Sequence, residues 1–385
     1  MYLLKLIVKN TFRHKLRTGL TILGITIAIL AFGLLRTVVS AWYAGVEASS
    51  ATRLVVRNAI SLVFTLPISY KEKIRQVEGV KLVSYGNWFG GIYIDEKNFF
   101  ANFAVEPISY LKLYPEFILT PEEQTAFIRD RKGAMAGRKL ATKYGWKIGD
   151  LIPLKGTIFP GTWDFVLRGI YKGRDKSTDE SQFLFHWDYL NETLKKTVPR
   201  RADQIGFFMI GINNPALAAE VSTAIDTMTK NSLAETLTET EKAFQLSFIS
   251  MTEAIIAVIQ LVSFIIIVII MAVVANTMAM TARERIGEYA VFKALGFGGG
   301  FIAGLVFGES LVITTIGAIL GISATFPVAK AFGIAMGQYF PVFNVARETI
   351  YLDIGASLIV GIAAAVVPTI RAARIRIADG LRRIG

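Results

Sequence analysis

Thr281-Ala-Arg-Glu-Arg-Ile-Gly-Glu-Tyr-Ala-Val-Phe-Lys-Ala-Leu-Gly296 is a short polar stretch set between two long apolar runs. Upstream, Ala254 to Ala275 carries no charge, and downstream a second apolar run begins near Gly300. A helix needs about 20 apolar residues to cross a bilayer, and both runs reach that length. The stretch between them is therefore predicted to be a short helix at a membrane surface, joined directly to two spanning helices. Its residues favour helix, and Gly296 sits where helices commonly stop. Ile286, Tyr289, Ala290 and Ala294 recur at helical spacing on one face, while Arg283, Glu284, Arg285 and Lys293 interrupt the pattern. A partner pressing on such a helix, through its polar face, would pass force to both attached spans. The bland alternative is an ordinary loop helix with no partner.

The charge distribution supports the same topology. The 385 residues are 53% hydrophobic with a net charge of +12. Residues 1–18, 281–296 and 371–385 carry +5, +1 and +4, so ten of the twelve excess positive charges lie beside apolar runs. That is the positive-inside bias, which places all three segments and both termini in the cytoplasm; no nucleic-acid footprint is called for. No cysteine is present, so neither disulfides nor thiolate sites arise. His14 and His186, the two histidines, fall on opposite sides of the predicted membrane and cannot share a metal.

The chain is predicted to begin with an amphipathic interfacial helix over 1–17. Leu3, Leu4, Ile7, Val8 and Phe12 form its apolar side among basic residues, a pattern drawn to anionic lipid. The apolar run Gly19–Leu35 reads as a retained anchor rather than a cleaved signal, giving a first span and stalk over 18–44. Residues 45–245 are different in kind: short apolar runs broken by charge, Gly and Pro, none long enough to span. They are expected to form an α+β extracytoplasmic domain. Helix is predicted from Tyr70, and strands over Val80–Tyr85, Phe89–Ile94 and Phe165–Tyr171, with strand, helix and strand across 134–154. Residues 216–253 read as helices returning to the membrane, with Glu235, Glu239, Glu241 and Glu253 on a polar stalk. A stalk and second span over 246–280, the surface helix in 281–298, a third span over 299–332, an outer loop 333–350, a fourth span over 351–370 and a basic tail 371–385 complete the expectation. The fold class is thus an integral membrane α-helical protein of four transmembrane helices, with a large α+β domain inserted between the first and second.

The stretch Arg283-Glu-Arg-Ile-Gly-Glu-Tyr-Ala-Val-Phe-Lys-Ala-Leu-Gly296, between two spans, resembles the coupling helix of FtsX/MacB-type (LolC/LolE-like) ABC transporter permeases. Their habit is Arg-x-x-Glu-Ile-Gly-x-x-Lys-Ala-Leu-Gly, and this sequence departs from it at Tyr289-Ala-Val. Gly137, Leu140, Ala141, Gly149, Asp150, Gly169 and Ile170 are similar to the core of a MacB-type periplasmic domain, and Pro368, Arg371, Arg374, Asp379 and Arg382 to the family's ending. The resemblance implies a non-catalytic permease subunit of a bacterial inner membrane, coupling ATP hydrolysis in a partner chain to export or extraction of a lipoprotein, lipid, peptide or drug. It implies two separate ABC ATPase subunits holding ATP and Mg, a homodimer, and a membrane-fusion or periplasmic adaptor. It assigns ATPase coupling to Arg283, Glu284, Arg285, Ile286, Glu288, Tyr289, Phe292 and Lys293. The alternative within the family is a signalling regulator that activates a cell-wall hydrolase without transport.

Gly169-Ile-Tyr-Lys-Gly-Arg-Asp-Lys-Ser177 fails the spacing of a phosphate-binding loop, so no ATP hydrolysis and no cofactor are expected in this chain. His186 and Asp188 near Ser177 or Ser181 lack a nucleophile-elbow motif, which disfavours a tethered hydrolase. Glu309 lies well inside the third span, where an ionisable residue marks either a substrate or proton pathway or a packing contact. Gly300, Gly304 and Gly308, and Gly317 and Gly321, repeat every four residues. That spacing permits close helix approach, within one chain or between two.

Overall fold

The computed structural model describes residues 2–337 and 339–375, and only the backbone of residues 2–4. The tail residues Arg376, Asp379 and Arg382, and the side chains of Leu3 and Leu4, lie outside that description. Two compact units emerge. One takes its residues from Met1–Ala41, Thr252–Ala335 and Phe343–Gly385; the other comprises Trp42–Met251 and Met336–Val342.

Helix α1 (Tyr2–Thr11) leads into α2 (Lys15–Ala48), which begins in the first unit and ends in the second. The second unit then builds one large sheet. Its strands are β1 (Arg53–Asn58), β2 (Leu66–Pro67), β3 (Val80–Trp88), β4 (Gly91–Ile92), β5 (Asn102–Val105), β6 (Phe117–Ile118), β7 (Gly133–Gly137), β8 (Leu151–Gly156), β9 (Gly161–Gly173), β10 (Phe183–His186), β11 (Gln204–Ile205), β12 (Phe207–Ile212) and β13 (Thr236–Thr240). The order is β13-β1-β12-β3-β5-β10-β7-β9-β8-β4, with β6 on β9 and a separate β2–β11 pair. Pairing is antiparallel except at β5–β10 and β7–β9. Interleaved are α3 (Tyr70–Arg75), α4 (Pro107–Leu113), α5 (Pro121–Arg129), α6 (Arg138–Tyr144), α7 (Trp187–Thr197), α8 (Ala218–Thr229) and α9 (Glu241–Ser250).

Both faces of this sheet are covered. Strand side chains alternate sides, and in β10 Phe183 and Phe185 enter one apolar cluster while Leu184 enters the other. The larger cluster holds Phe89, Trp163 and Phe165, with ring centroids of Phe89 and Trp163 5.4 Å apart. Residues 133–156 form strand, helix and strand as the sequence predicts. Gly145, at φ 68°, caps α6 in the left-handed region that glycine enters at no steric cost. The reading of 216–253 as helices holds at α8 and α9 but not between them, where Thr236–Thr240 is an edge strand paired with β1. Glu239 is therefore not on a helical stalk but on that strand, bound to Arg57 at 3.0 Å. The alternation of Thr236, Thr238 and Thr240 suits a strand edge, since β-branched residues pack well on a pleat.

In the first unit α10 (Glu253–Glu284), α11 (Ile286–Ala294), α12 (Gly299–Ala335) and α13 (Arg347–Ala373) follow. Four helices, α2, α10, α12 and α13, are long and apolar enough to cross a membrane. Their buried seam includes Ile25 and Ile29 of α2, Val274 and Met278 of α10, Ile302 and Ile313 of α12, and Val360 and Ala364 of α13.

Glycines set how closely these helices approach. A Cβ at Gly308 would strike Ile7 of α1, and Cβ atoms at Gly317 and Gly321 would lie 2.6 and 2.8 Å from Ile25 and Ile29 of α2. Three of the five repeated glycines thus serve packing within the chain. Among the described residues nothing lies within 4 Å of a Cβ at Gly300 or Gly304.

Candidate functional site

The predicted surface helix proves to be two pieces. Residues 281–284 complete α10, the helix breaks at Arg285 (φ −104°, ψ 14°), and α11 starts at Ile286. The break lets Arg285 turn inward, where it is 4% exposed. Its Nη1 lies 2.5 Å from Glu309 Oε1 and its Nε 3.1 Å from Glu288 Oε2. Its guanidinium stands 5.3 Å from the Tyr289 ring centroid. The other oxygen of Glu288 takes Arg13, from the turn between α1 and α2. One turn into α2, Arg17 forks onto Glu284 with two bonds of 2.6 and 2.8 Å, the bidentate geometry that planar guanidinium favours. An ion chain Arg13–Glu288–Arg285–Glu309 therefore joins the α1–α2 turn, α11 and α12.

Burial disfavours the charge on Arg285, but Glu309, Tyr289 and Glu288 together hold the group above its ordinary pKa. For Glu288 burial pushes the carboxyl up, while the hydrogen bonds from Arg13 and Arg285 bring it below its usual value. Burial drives the Tyr289 phenol up.

The far end of α11 is fastened too. The Phe297 N–H reaches Phe292 O and the Gly296 N–H reaches Lys293 O, each at 3.0 Å. Gly296 stands at φ 91° and the Phe292 and Phe297 rings are 5.8 Å apart. This is a complete Schellman stop with its hydrophobic contact. Lys293 Nζ donates to Ala373 O and Ile375 O at 2.8 Å, satisfying carbonyls that a helix end leaves without partners.

This arrangement corrects the expected division of faces. Tyr289, assigned to ATPase coupling by the resemblance, is buried together with Ala290, while Ala294 of the same predicted face is exposed. Arg285, expected on a polar outer face, is buried, while Glu284, Glu288 and Lys293 are occupied within the chain. Ile286 and Phe292 are half-buried. What α11 and its flanks present outward is Arg283 with an apolar edge of Val291, Leu295 and Phe297; Leu295 is 71% exposed.

Glu309, 2% exposed, is engaged by Arg285. In sequence Arg13 and Arg17 stand only as basic residues beside the first apolar run, Arg13 within the amphipathic helix, because their partners lie more than 260 residues away. Asp353 is a lone acid early in the fourth apolar run, the one charge between Tyr351 and Ile370, and that isolation is the sequence signal it carries.

His186 is buried, with Nε2 2.5 Å from Phe127 O, and burial lowers its pKa. Among the described residues no cluster of three or more His, Asp or Glu is placed to hold a metal.

Residues 260–377, which contain this joint, match the family described as FtsX-like permease C-terminal. The chain is also 34% identical over 110 residues to the uncharacterized ABC transporter permease YvrN of Bacillus subtilis (strain 168), a match covering 28% of this chain and 26% of that one. It thus spans about a quarter of that relative's length. The extracellular domain of the noncanonic ABC-type transporter YknZ from Gram-positive bacteria is similar over 49% of this chain and 99% of its own, at 9% identity and TM-score 0.36. A domain of a permease protein from Porphyromonas gingivalis is similar over 50% and 92%, at 14% identity and TM-score 0.33.

Proposed function

We propose that the chain is the permease subunit of an ABC transporter in a bacterial cytoplasmic membrane, with α11 as the element an ATPase moves. In this reading two copies pair with two separate ATPase subunits, which supply ATP and Mg. The basic segments face the cytoplasm and the α+β unit lies outside, inserted between the first and second spans. Movement of α11 reaches that unit through α2 and α10, and the work done is export or extraction of a substrate, with a membrane-fusion or periplasmic adaptor as a further partner.

The observation that supports it is the fixing of α11 at both ends beside a free apolar edge. An element tied by ions to α12 and the α1–α2 turn, and by Lys293 to the end of α13, moves as a block with its helices. A loosely tethered loop would absorb the push instead. Apolar groups at the centre of an interface contribute more than charges at its rim, so Leu295 and Phe297 are the expected anchors rather than Glu288.

The test is Leu295→Asp in the full chain, coexpressed with its ATPase. It should insert normally, keep its fold, and lose ATPase co-purification by about tenfold or more, since burying an unpaired carboxylate at an interface costs several kcal/mol. Wild-type co-purification by both Leu295→Asp and Phe297→Asp would overturn the assignment of this edge.

A further inference from the structure

Among the described residues the helical unit contains a second buried carboxylate, and it has no hydrogen-bond partner. Asp353 of α13 is 1% exposed, and both side-chain oxygens lack any hydrogen bond. It occupies a pocket made by close approach of three helices. A Cβ on Gly33 of α2 would lie 2.8 Å from Asp353 Oδ2 and 3.1 Å from Thr325 Oγ1 of α12. The carboxyl therefore fits only because Gly33 has no side chain. Thr325, also 1% exposed, donates its hydroxyl to Gly321 O at 2.9 Å, leaving the oxygen's lone pairs toward the pocket free to accept.

The charged groups on the elements around it do not reach Asp353. Arg36 lies one turn beyond Gly33 on α2, Lys330 follows Thr325 on α12, Glu253 begins α10, and Arg347 and Glu348 open α13 itself. None forms a salt bridge with it, and Arg36 Nε is itself without a hydrogen bond. Glu309 shows the contrast: equally buried, it holds a guanidinium at 2.5 Å. An apolar bundle tolerates an ionised carboxylate only when it is paired.

We propose that Asp353 is a proton-binding site within the helical bundle. The side chain is held there as the neutral carboxylic acid, with Thr325 as the acceptor its O–H turns to after a small shift. The exchange is simple: R–COOH gives R–COO⁻ and H⁺, the proton passing to water admitted when the α2–α12–α13 contact at Gly33 loosens. Proton binding and closure at Gly33 are therefore linked. The closed contact favours the neutral acid, so raising the pH favours loosening and lowering it favours closure. This inference rests on the packing of the bundle and not on the ATPase-coupled reading.

The experiment is difference infrared spectroscopy on the full chain in lipid nanodiscs, with carbodiimide labelling of the wild type alongside. At neutral pH a protonated-carboxyl stretch sensitive to deuterium exchange should appear, vanish in Asp353→Asn, and persist in Glu309→Gln. Dicyclohexylcarbodiimide, which adds to protonated carboxyls in apolar surroundings, should modify the peptide carrying Asp353 and spare that carrying Glu309. The labelling needs no variant, so it decides the matter even if Asp353→Asn misfolds. Absence of both band and adduct overturns the proposal. So does a band that follows Glu309, or one that appears only in Arg36→Gln, which would mean that Asp353 is ionised and paired with Arg36.

Discussion

Two buried arginines, one in each unit, sit in nearly the same chemical setting, and their differences show what each joint is built for. Arg53, at the start of β1, is 6% exposed and binds Glu241 at 2.7 Å and Glu116 at 2.8 Å, with its guanidinium 4.2 Å from the Tyr114 ring. Arg285 likewise has two carboxylates and one tyrosine ring. Around Arg53, however, the set is closed. Its Nη1 also donates to Leu113 O, and Glu241 accepts from the Ser50 backbone N–H at 2.8 Å. That pins the segment after α2 to the start of α9. Around Arg285 one partner, Glu288, is 37% exposed at its side chain and shared with Arg13, itself 55% exposed. The first joint is a closed clasp; the second has a wet rim where it can be adjusted.

The largest effect is therefore expected at the clasp. Arg53→Met leaves Glu241 buried and Glu116 half-buried without their cation, and breaking a buried pair costs about 3–5 kcal/mol. The chain's five tryptophans, Trp42, Trp88, Trp146, Trp163 and Trp187, all lie in the α+β unit. Tryptophan fluorescence thus follows that unit's unfolding in the intact protein. Arg53→Met should move its urea midpoint sharply downward, whereas an unmoved midpoint would show that the clasp contributes no stability.

Glu309→Gln should come next. It leaves Arg285 buried but not abandoned, because Glu288 remains at 3.1 Å. An amide also still accepts a hydrogen bond, so the loss should be about 1–3 kcal/mol. Helix ellipticity should melt earlier while the tryptophan transition stays in place. A shift of both transitions together would break the contrast between the joints, since a single cooperative unit would then contain them.

How far these joints were legible in the sequence differs for physical reasons. Long uncharged runs such as Ala254–Ala275 declare a helix by composition alone, and α10 is there. The turn at Gly296 was legible because only local geometry decides it. Arg285 was not: a charged residue reads as surface until its partner is known, and Glu309 is 24 residues away. Similarly, Glu239 and Glu241 gave residues 235–253 the appearance of a polar stalk. One pairs across a strand to Arg57 and the other closes the Arg53 clasp, contacts made by residues more than 180 positions distant. Burial of paired charge erases the polar signal on which sequence patterns depend.

The smallest effect is expected at Arg13, and it is the one that separates a rim from a core. Arg13→Gln removes a cation from Glu288 but leaves Arg285 in place on the other oxygen. Exposed ion pairs contribute about 0.2–1 kcal/mol and are screened by salt. The helix melting curve should therefore shift slightly at low ionic strength. The shift should disappear at about 1 M salt, where the screening length is about 3 Å. The effect of Glu309→Gln, made in a dry interior, should survive the same salt. If Arg13→Gln is as costly as Glu309→Gln and equally indifferent to salt, Arg13 belongs to the buried core of the joint. The α1–α2 turn would then be as firmly bound to α11 as α12 is, and the notion of an adjustable rim would have to be given up.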